Sequence, residues 1–177
     1  MSLVTYEDAR PWAKAMREEV LARRMPKWHA ARGYGEFAND PTLSPFDIAL
    51  IVAWVDGGAV RGDPSKAPPP AVPAKPVEPR SSKARTITLG CGVRPLPAGR
   101  LLAITPTLAE GASAGFSVIL PDGRQEIVAW IRNYEAEFAE TYWLESPIVV
   151  PRGSRLRVEG ASECRVELKI GGLIGRA

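Results

Sequence analysis

The spacing of apolar residues near the N-terminus follows a helical period. Trp12, Met16 and Val20 recur every four residues, with charged residues between them. Such spacing places the apolar side chains on one face of a helix. We therefore predict a main amphipathic helix in this region. We expect it to end at Met25, because the residue before a proline is disfavoured in the α region.

Two helix starts are marked by capping residues. Thr5 and Asp8 have the spacing of a capping box ahead of the first helical stretch. Ser44 and Asp47 repeat that spacing and predict a second helix. Residues 31–42, with the sequence ARGYGEFANDPT, are expected to form a loop. Two helices are a thin core for an independent domain, so we expect part of this unit to be missing.

Beyond residue 84 the apolar period changes to two, which is typical of half-buried strands. In RTITLGC, Ile87, Leu89 and Cys91 share one face, and CRVELKI shows the same alternation from Cys164. Further short segments of this kind lie between them: RLLAI, AGFSVIL, QEIVAWI, YWLESPIVV and SRLRVE. About six to eight short strands with tight turns, such as the one at PDGR, predict an antiparallel β-sandwich or jelly roll.

A proline-rich stretch separates the two patterns. Residues 64–79, PSKAPPPAVPAKPVEP, contain seven of the 17 prolines. Proline lacks a backbone donor and fixes φ, so this stretch suits neither a helix interior nor a central strand. We interpret it as a semi-rigid linker, the alternative being a loop over a single domain. The predicted organisation is α+β in several parts: a helical segment over residues 1–63, a linker over 64–83, and an antiparallel β-sandwich domain over 84–177.

Composition and charge exclude several classes of function. The chain has 177 residues, 45% of them hydrophobic and 24% charged, and a net charge of +3. Lys and Arg are interleaved with Glu, as in AMREEVLARR, whereas a nucleic-acid-binding protein would cluster them on one face. No apolar run approaches the roughly 18–20 residues that span a bilayer, and the charged N-terminal region contains no signal-peptide core. We expect neither nucleic-acid binding nor membrane insertion.

The small number of histidines and cysteines restricts metal chemistry. His29 is the only histidine, and Cys91 and Cys164 are far apart, so a C-x-x-C motif or a multi-histidine zinc or copper site cannot form. In RRMPKWHA, Met25 is either a gap-filling side chain or a metal ligand. His29, four residues further on, is expected to be an exposed, titrating side chain.

Residues 3–64 resemble the C-terminal half of a bacterial class I c-type cytochrome domain. The segments MPKW and SPFDIALIVAWVDGGA carry this resemblance, because they have the order and spacing of that family. The resemblance implies that Met25 is the distal axial ligand of a haem. Trp12, Trp28 and Trp54 would then pack in the core or line the haem crevice. A neutral sulfur ligand raises the reduction potential of the iron, which suits electron transfer.

The chain departs from the cytochrome family in two places. Lys27 replaces the second proline of Met-Pro-Pro-Trp, and no C-x-x-C-H is present for haem attachment. The resemblance therefore implies haem c in a longer parent protein, and we expect no covalent haem on this chain alone. Our hypothesis is that the chain starts inside that longer protein.

Residues 84–177 are similar in outline to the C-terminal domain of copper type II, ascorbate-dependent monooxygenases. The segment LPDGRQEIVAWIRNYEAEFAETYWLESPIVVPRGSRLRVE carries this resemblance. That family binds copper with a His-x-His pair near the start of the domain and a methionine near its end. Thr107 and Ala109 stand at the approximate histidine positions here. The resemblance therefore implies the fold without the copper chemistry.

The two cysteines continue the inward-facing stripes of their strands, so we expect both to point into the sandwich. Cys91 and Cys164 are then either free apolar residues or a disulfide, and pairing requires Cα atoms within about 7 Å. Covalent haem attachment in the parent protein implies a periplasmic or exported location. An oxidising compartment of that kind permits the disulfide.

Two functions follow as expectations from this reading. The first is electron transfer to a redox partner protein through a haem whose potential is tuned by Met25. The second is a non-catalytic binding or scaffolding module, in which the β domain docks the electron carrier against its partner. An oxidative enzyme is disfavoured, because the histidines that would bind copper are missing.

Overall fold

The computed structural model of the protein describes residues 3–66 and 84–172. These residues form two compact units, each built from two separate stretches: 3–28 with 41–66 in the helical unit, and 29–40 with 84–172 in the β unit. The sequence prediction kept residues 1–63 together. It missed that a short stretch in their middle belongs with the strands.

The predicted linker falls mostly outside the described residues. Its first residues, Pro64–Lys66, form a 3₁₀ turn. The remainder of the predicted linker, residues 67–83, is not among the residues that the structure describes. Its predicted role as a semi-rigid spacer therefore stays a prediction.

The helical unit contains three helices and an intervening 3₁₀ turn. Helix α1 spans Tyr6–Ala9, the turn spans Arg10–Trp12, helix α2 spans Ala13–Leu21 and helix α3 spans Pro45–Asp56. The predicted main helix, for which Pro11 suits the first turn, corresponds to α2, and Pro11 lies in the 3₁₀ turn directly before it. Proline removes a backbone donor, and a short 3₁₀ turn accommodates that loss.

Helix α2 ends at Leu21, earlier than the predicted end at Met25. Arg23 adopts a left-handed conformation with φ of 53°, and its amide donates to the Val20 carbonyl at 3.1 Å. A left-handed residue closes a helix by satisfying the carbonyls of the last turn. The proline at position 26 is therefore not what ends the helix.

Helix α3 begins as predicted. The Asp47 amide donates to Ser44 Oγ at 3.1 Å, and the Ser44 amide donates to the Asp47 carboxylate at 3.0 Å. These two bonds complete the capping box. The Ser44 hydroxyl, 2.6 Å from the Asp47 carboxylate, and the Ser44 amide both donate to it and lower the pKa of the Asp47 carboxyl, because they favour its charged form.

The β unit contains eight strands in two antiparallel four-stranded sheets. The strands are β1 (Arg85–Gly90), β2 (Gly92–Pro95), β3 (Gly99–Leu108), β4 (Ala114–Ile119), β5 (Gln125–Ile131), β6 (Tyr142–Val150), β7 (Arg155–Glu159) and β8 (Cys164–Gly171). Their order is β1-β8-β3-β6 in one sheet and β2-β7-β4-β5 in the other. The prediction of a β-rich antiparallel domain is confirmed, although β2 was not foreseen.

The strand order is that of an eight-stranded jelly roll. Only β4 and β5 are neighbours both in sequence and in a sheet; the other consecutive strands lie in different sheets. Alternate residues of β4 are buried, and the central strands β3 and β8 bury the side chains that form the core. Fully buried examples are Leu101, Ile104, Val166, Leu168 and Ile170.

Residues 29–40, which we call the clasp, pair with the two sheet edges formed by β5 and β6. At β5, the Ala31 amide donates to the Trp130 carbonyl at 2.7 Å, and the Arg132 amide donates to the His29 carbonyl at 2.9 Å. Edge strands carry unpaired backbone groups, and natural proteins commonly cover them. The predicted loop over residues 31–42 is confirmed, since only Phe37 among these residues forms a β-bridge. What the prediction missed is that this loop is anchored to the sheets.

The other end of the clasp pairs with β6. The Ala38 amide donates to the Trp143 carbonyl and the Glu145 amide to the Glu36 carbonyl, both at 2.9 Å. The Phe37 side chain is buried and meets the Tyr142 ring edge-on, with the ring centroids 5.4 Å apart. The clasp thus covers one edge of each sheet.

Asn39 extends this pairing with its side chain. Its Nδ2 donates to the Thr141 carbonyl at 2.8 Å, and its Oδ1 accepts from the Trp143 amide at 3.0 Å. The carboxamide therefore satisfies two backbone groups that a neighbouring strand would otherwise bind.

Within the described ranges, no helix combines the length and apolar character needed to cross a bilayer.

Candidate functional site

An apolar cavity of about 400 Å³ lies in the helical unit, with walls from α2, α3 and the segment after α2. This volume is within the roughly 300–1,000 Å³ that is usual for small-molecule and cofactor sites. The side chains that matter for its chemistry are Trp12, Met16, Glu19, Val20, Met25 and Ile51.

Met25, the predicted axial ligand, lies on the wall of this cavity and is 43% exposed. The left-handed Arg23 turns the chain at the end of α2, so that Met25 lies on the same cavity wall as Val20. A core methionine that only filled a gap would be enclosed by neighbours. Met25 is therefore a partly exposed residue of the cavity wall and not an enclosed gap-filler.

Of the three tryptophans assigned to a crevice or core, Trp12 lines the cavity and is 49% exposed. Trp28 and Trp54 are half-buried and do not line it. The Trp54 indole donates to the Val60 carbonyl at 3.0 Å, which fixes the chain after α3. The structure thus brings Met25 together with one of the three predicted tryptophans.

Glu19 is the one acidic residue of the cavity wall among the described residues. Arg24 donates to its carboxylate in a bidentate pair at 2.8 and 2.9 Å. This hydrogen bonding lowers the pKa of the Glu19 carboxyl. The carboxylate is therefore ionised at neutral pH. Its charge is neutralised by the Arg24 guanidinium.

The helical unit leaves many large apolar side chains in contact with water. Helix α3 buries none of its 12 residues, with Phe46 69% exposed and Leu50 54% exposed. The remaining exposed apolar side chains of this unit are Leu3, Val4, Leu21 and Val60, besides Trp12 and Met25. Large apolar side chains are thus exposed more often in this unit than is usual for the surface of a folded domain.

Surface polar contacts hold the helices of this unit together. Arg17 pairs with Asp56 at 2.9 Å, and the Tyr6 hydroxyl donates to the Ala59 carbonyl at 2.9 Å. Exposed ion pairs contribute about 0–1 kcal/mol each. The unit therefore depends on few strong interactions of its own.

His29 was expected to be exposed, and this prediction is wrong. It belongs to the clasp, is 6% exposed, and its Nε2 accepts a hydrogen bond from the Glu135 amide at 3.3 Å. The sequence could not show this, because the burial is created by residues about 100 positions away. His29 is thus engaged within the β unit.

The β unit places the positions that correspond to copper ligands on its surface. Thr107, at the end of β3, and Ala109, just after it, are both exposed. Within the described residues, no group of three or more His, Cys, Asp or Glu side chains is arranged to hold a metal ion.

Cys91 and Cys164 form a disulfide in the β unit, with Cα atoms 5.4 Å apart. Cys91 is the single residue between β1 and β2, where the chain passes from one sheet to the other, and Cys164 begins β8. Both residues are half-buried rather than fully inside the core. The disulfide thus joins the crossover between β1 and β2 to β8, one of the two inner strands of the first sheet.

The chain matches no protein-family model, no curated protein and no solved structure.

Proposed function

We propose that the helical unit is one side of the haem site of an electron-transfer protein, with Met25 as an axial ligand. The observation that carries this proposal is the position of Met25, 43% exposed, on the wall of an apolar cavity of about 400 Å³. Methionine ligation, apolar walls and a neighbouring indole suit a haem of raised potential. The exposed apolar side chains of α3 support the presence of a further partner or segment that binds next to the cavity.

The residues present fit one face of a haem and not the other. Met25 can supply one axial ligand, but His29 is buried in the β unit and both cysteines are joined to each other. The proposal therefore requires the proximal histidine and the attachment cysteines to come from residues outside this chain.

A bound haem would supply the one-electron couple, and the residues of this chain would set its surroundings. Met25 offers a soft, neutral sulfur, which favours the reduced metal. Val20 and Ile51 line the cavity with apolar side chains, and the pairing with Arg24 keeps the Glu19 charge balanced. The disulfide supports an exported location, because such bonds persist in oxidising compartments.

The test compares two methionines of the same cavity in a longer gene product that contains the haem-attachment residues, expressed with a cytochrome maturation system. We expect covalent haem, and we expect Met25→Leu to lower the reduction potential. Met16→Leu is the matched control, since Met16 lines the cavity but is not assigned as a ligand.

Two results would contradict the proposal. One is the absence of a haem-attachment sequence from the longer gene product. The other is an equal effect of the two methionine substitutions on the potential. The 177-residue chain alone is expected to give no pyridine haemochrome signal, because it has no C-x-x-C-H.

A scaffolding role for the β unit is the second candidate, and the clasp favours it. The chain leaves the helical unit after residue 28 and returns at residue 41, so the β unit holds a stretch from its middle. If the β unit is a scaffold, we expect Phe37→Ala, which loosens the clasp, to lower the melting temperature of the helices. Far-UV circular dichroism would measure that temperature. An unchanged helical transition would contradict this role.

A further inference from the structure

The single histidine of the chain lies at the start of the clasp and is buried. His29 and Ser154 are the buried polar residues among those described. The His29 Nε2 accepts from the Glu135 amide at 3.3 Å, and its ring centroid is 5.7 Å from that of Tyr134. An imidazole nitrogen that accepts a hydrogen bond carries no proton. The closed clasp therefore contains His29 in its neutral form.

The backbone of the same residue secures the same end of the clasp. The His29 carbonyl accepts from the Arg132 amide, and the next pair joins Ala31 to Trp130. The ring and the main chain of one residue thus hold the clasp to β5. A change in the ring is transmitted directly to this pairing.

We propose that the clasp is pH-sensitive: His29 holds it closed at neutral pH, and protonation of the ring releases its N-terminal end from β5. In the charged imidazole both nitrogens are donors, so Nε2 would face the donating Glu135 amide. The charge would also be enclosed at a site that is 6% exposed. Both effects oppose the closed state.

Other ionisable groups around His29 come from both edges that the clasp covers. Tyr142, on β6, is close to the His29 main chain, and burial raises the pKa of its hydroxyl, so it stays neutral. The remaining groups are Arg132, Tyr134 and Glu135 after β5, Glu140 before β6, and Arg32 within the clasp. Of the two acidic residues, Glu135 is the one whose amide binds the His29 ring, so the test includes its carboxylate as the group that would favour a protonated ring.

The sign of the pH dependence follows from which state binds the proton. A histidine in a released clasp takes up a proton near pH 6.5, as in peptides, whereas the closed clasp excludes it. The stabilisation is complete above that pH and is lost as the pH falls. Between pH 7.5 and 5.0, the closing equilibrium changes by up to about 30-fold for one proton.

The test measures amide hydrogen exchange in the whole chain between pH 5.0 and 7.5, expressed as protection factors. We expect protection of the Ala31 and Arg132 amides to fall by up to about 30-fold as the pH decreases. Core amides of β8, such as that of Leu168, are the internal control and keep their protection. His29→Gln removes the titrating group, and its clasp amides should show no such fall.

Several outcomes would overturn the proposal. If clasp-amide protection depends on pH equally in the wild type and in His29→Gln, the His29 ring is not responsible for that dependence. Greater protection at low pH, abolished by Glu135→Gln, would mean that the charged ring is stabilised instead. If His29→Gln does not fold, the single imidazole signal of the wild type decides by NMR. Titration of that signal near pH 6.5 without loss of clasp protection refutes the proposal. None of these results bears on the proposed haem site.

Discussion

The two units of this chain differ in how completely they bury their apolar residues. In the β unit, Leu101, Ile104 and Leu168 are 0% exposed, and the clasp covers two sheet edges. In the helical unit, the apolar helix α3 buries no residue, and Phe46 is 69% exposed. The β unit therefore has a fully buried core, whereas the helical unit leaves much of its apolar surface exposed.

We expect the two units to contribute differently, the β unit mainly to stability and the helical unit, by our proposal, to function. The β unit is a jelly roll with a fully buried core, and a disulfide and the clasp add to its closure. The helical unit has an apolar cavity lined by Met25 and several exposed apolar side chains, which the haem and partner of our proposal would cover. We therefore expect substitutions in the β unit to have the larger effect on stability.

The largest expected effect comes from removing the disulfide. It closes a loop with a sequence separation of 73 residues, for which the loop-entropy model gives about 4 kcal/mol. We expect the Cys91→Ala, Cys164→Ala double variant to lose close to that amount in urea unfolding of the β unit. A loss below about 1 kcal/mol would show that the β1–β8 pairing holds the crossover without the bond.

The next effect tests whether the clasp is an integral part of the β unit. Phe37 is buried against Tyr142, and truncation of a buried Phe usually costs about 3–5 kcal/mol. We expect Phe37→Ala to destabilise the β unit by about 3 kcal/mol, the lower end of that range, because the site is at an edge. Tyr34→Ala, at a clasp residue that is 44% exposed, is the control, with an expected loss below about 1 kcal/mol. Equal losses would mean that the clasp is not packed as described.

The smallest effect is expected on α3. Leu50 is 54% exposed, so Leu50→Ala should change the free energy of unfolding by no more than about 0.5 kcal/mol. Ile51→Ala, at the half-buried cavity wall, should cost about 1–2 kcal/mol by comparison. A loss above about 2 kcal/mol for Leu50→Ala would show that this helix is covered in solution, which would break the comparison between the two units.

Local patterns were enough to predict most elements of the fold. The two-residue period marked the strands from Arg85 onward, and the Ser44–Asp47 box marked the start of α3. Strand β2 was missed because Gly92–Pro95 is exposed throughout and shows no alternation. The end of α2 was misplaced because a left-handed arginine carries no sequence signal comparable to proline.

The clasp could not be predicted because its partners are distant in sequence. Asn39 reads as a loop residue, yet its side chain bonds with Thr141 and Trp143, more than 100 residues away. His29 was misjudged for the same reason. The assignment of Met25 as a haem ligand rests on the family resemblance and stays a prediction, whereas the residues alone left it open between a gap-filling side chain and a metal ligand.

The clasp also determines what a cut in the proline-rich stretch would do. Cleavage between residues 67 and 83 would break the only covalent path between the helices and the strands. Residues 29–40 would nevertheless remain paired with β5 and β6 through four backbone bonds, the Asn39 carboxamide and the buried Phe37 ring. The two products, one with the helices and the clasp and the other with strands β1–β8, would therefore stay associated as a split protein.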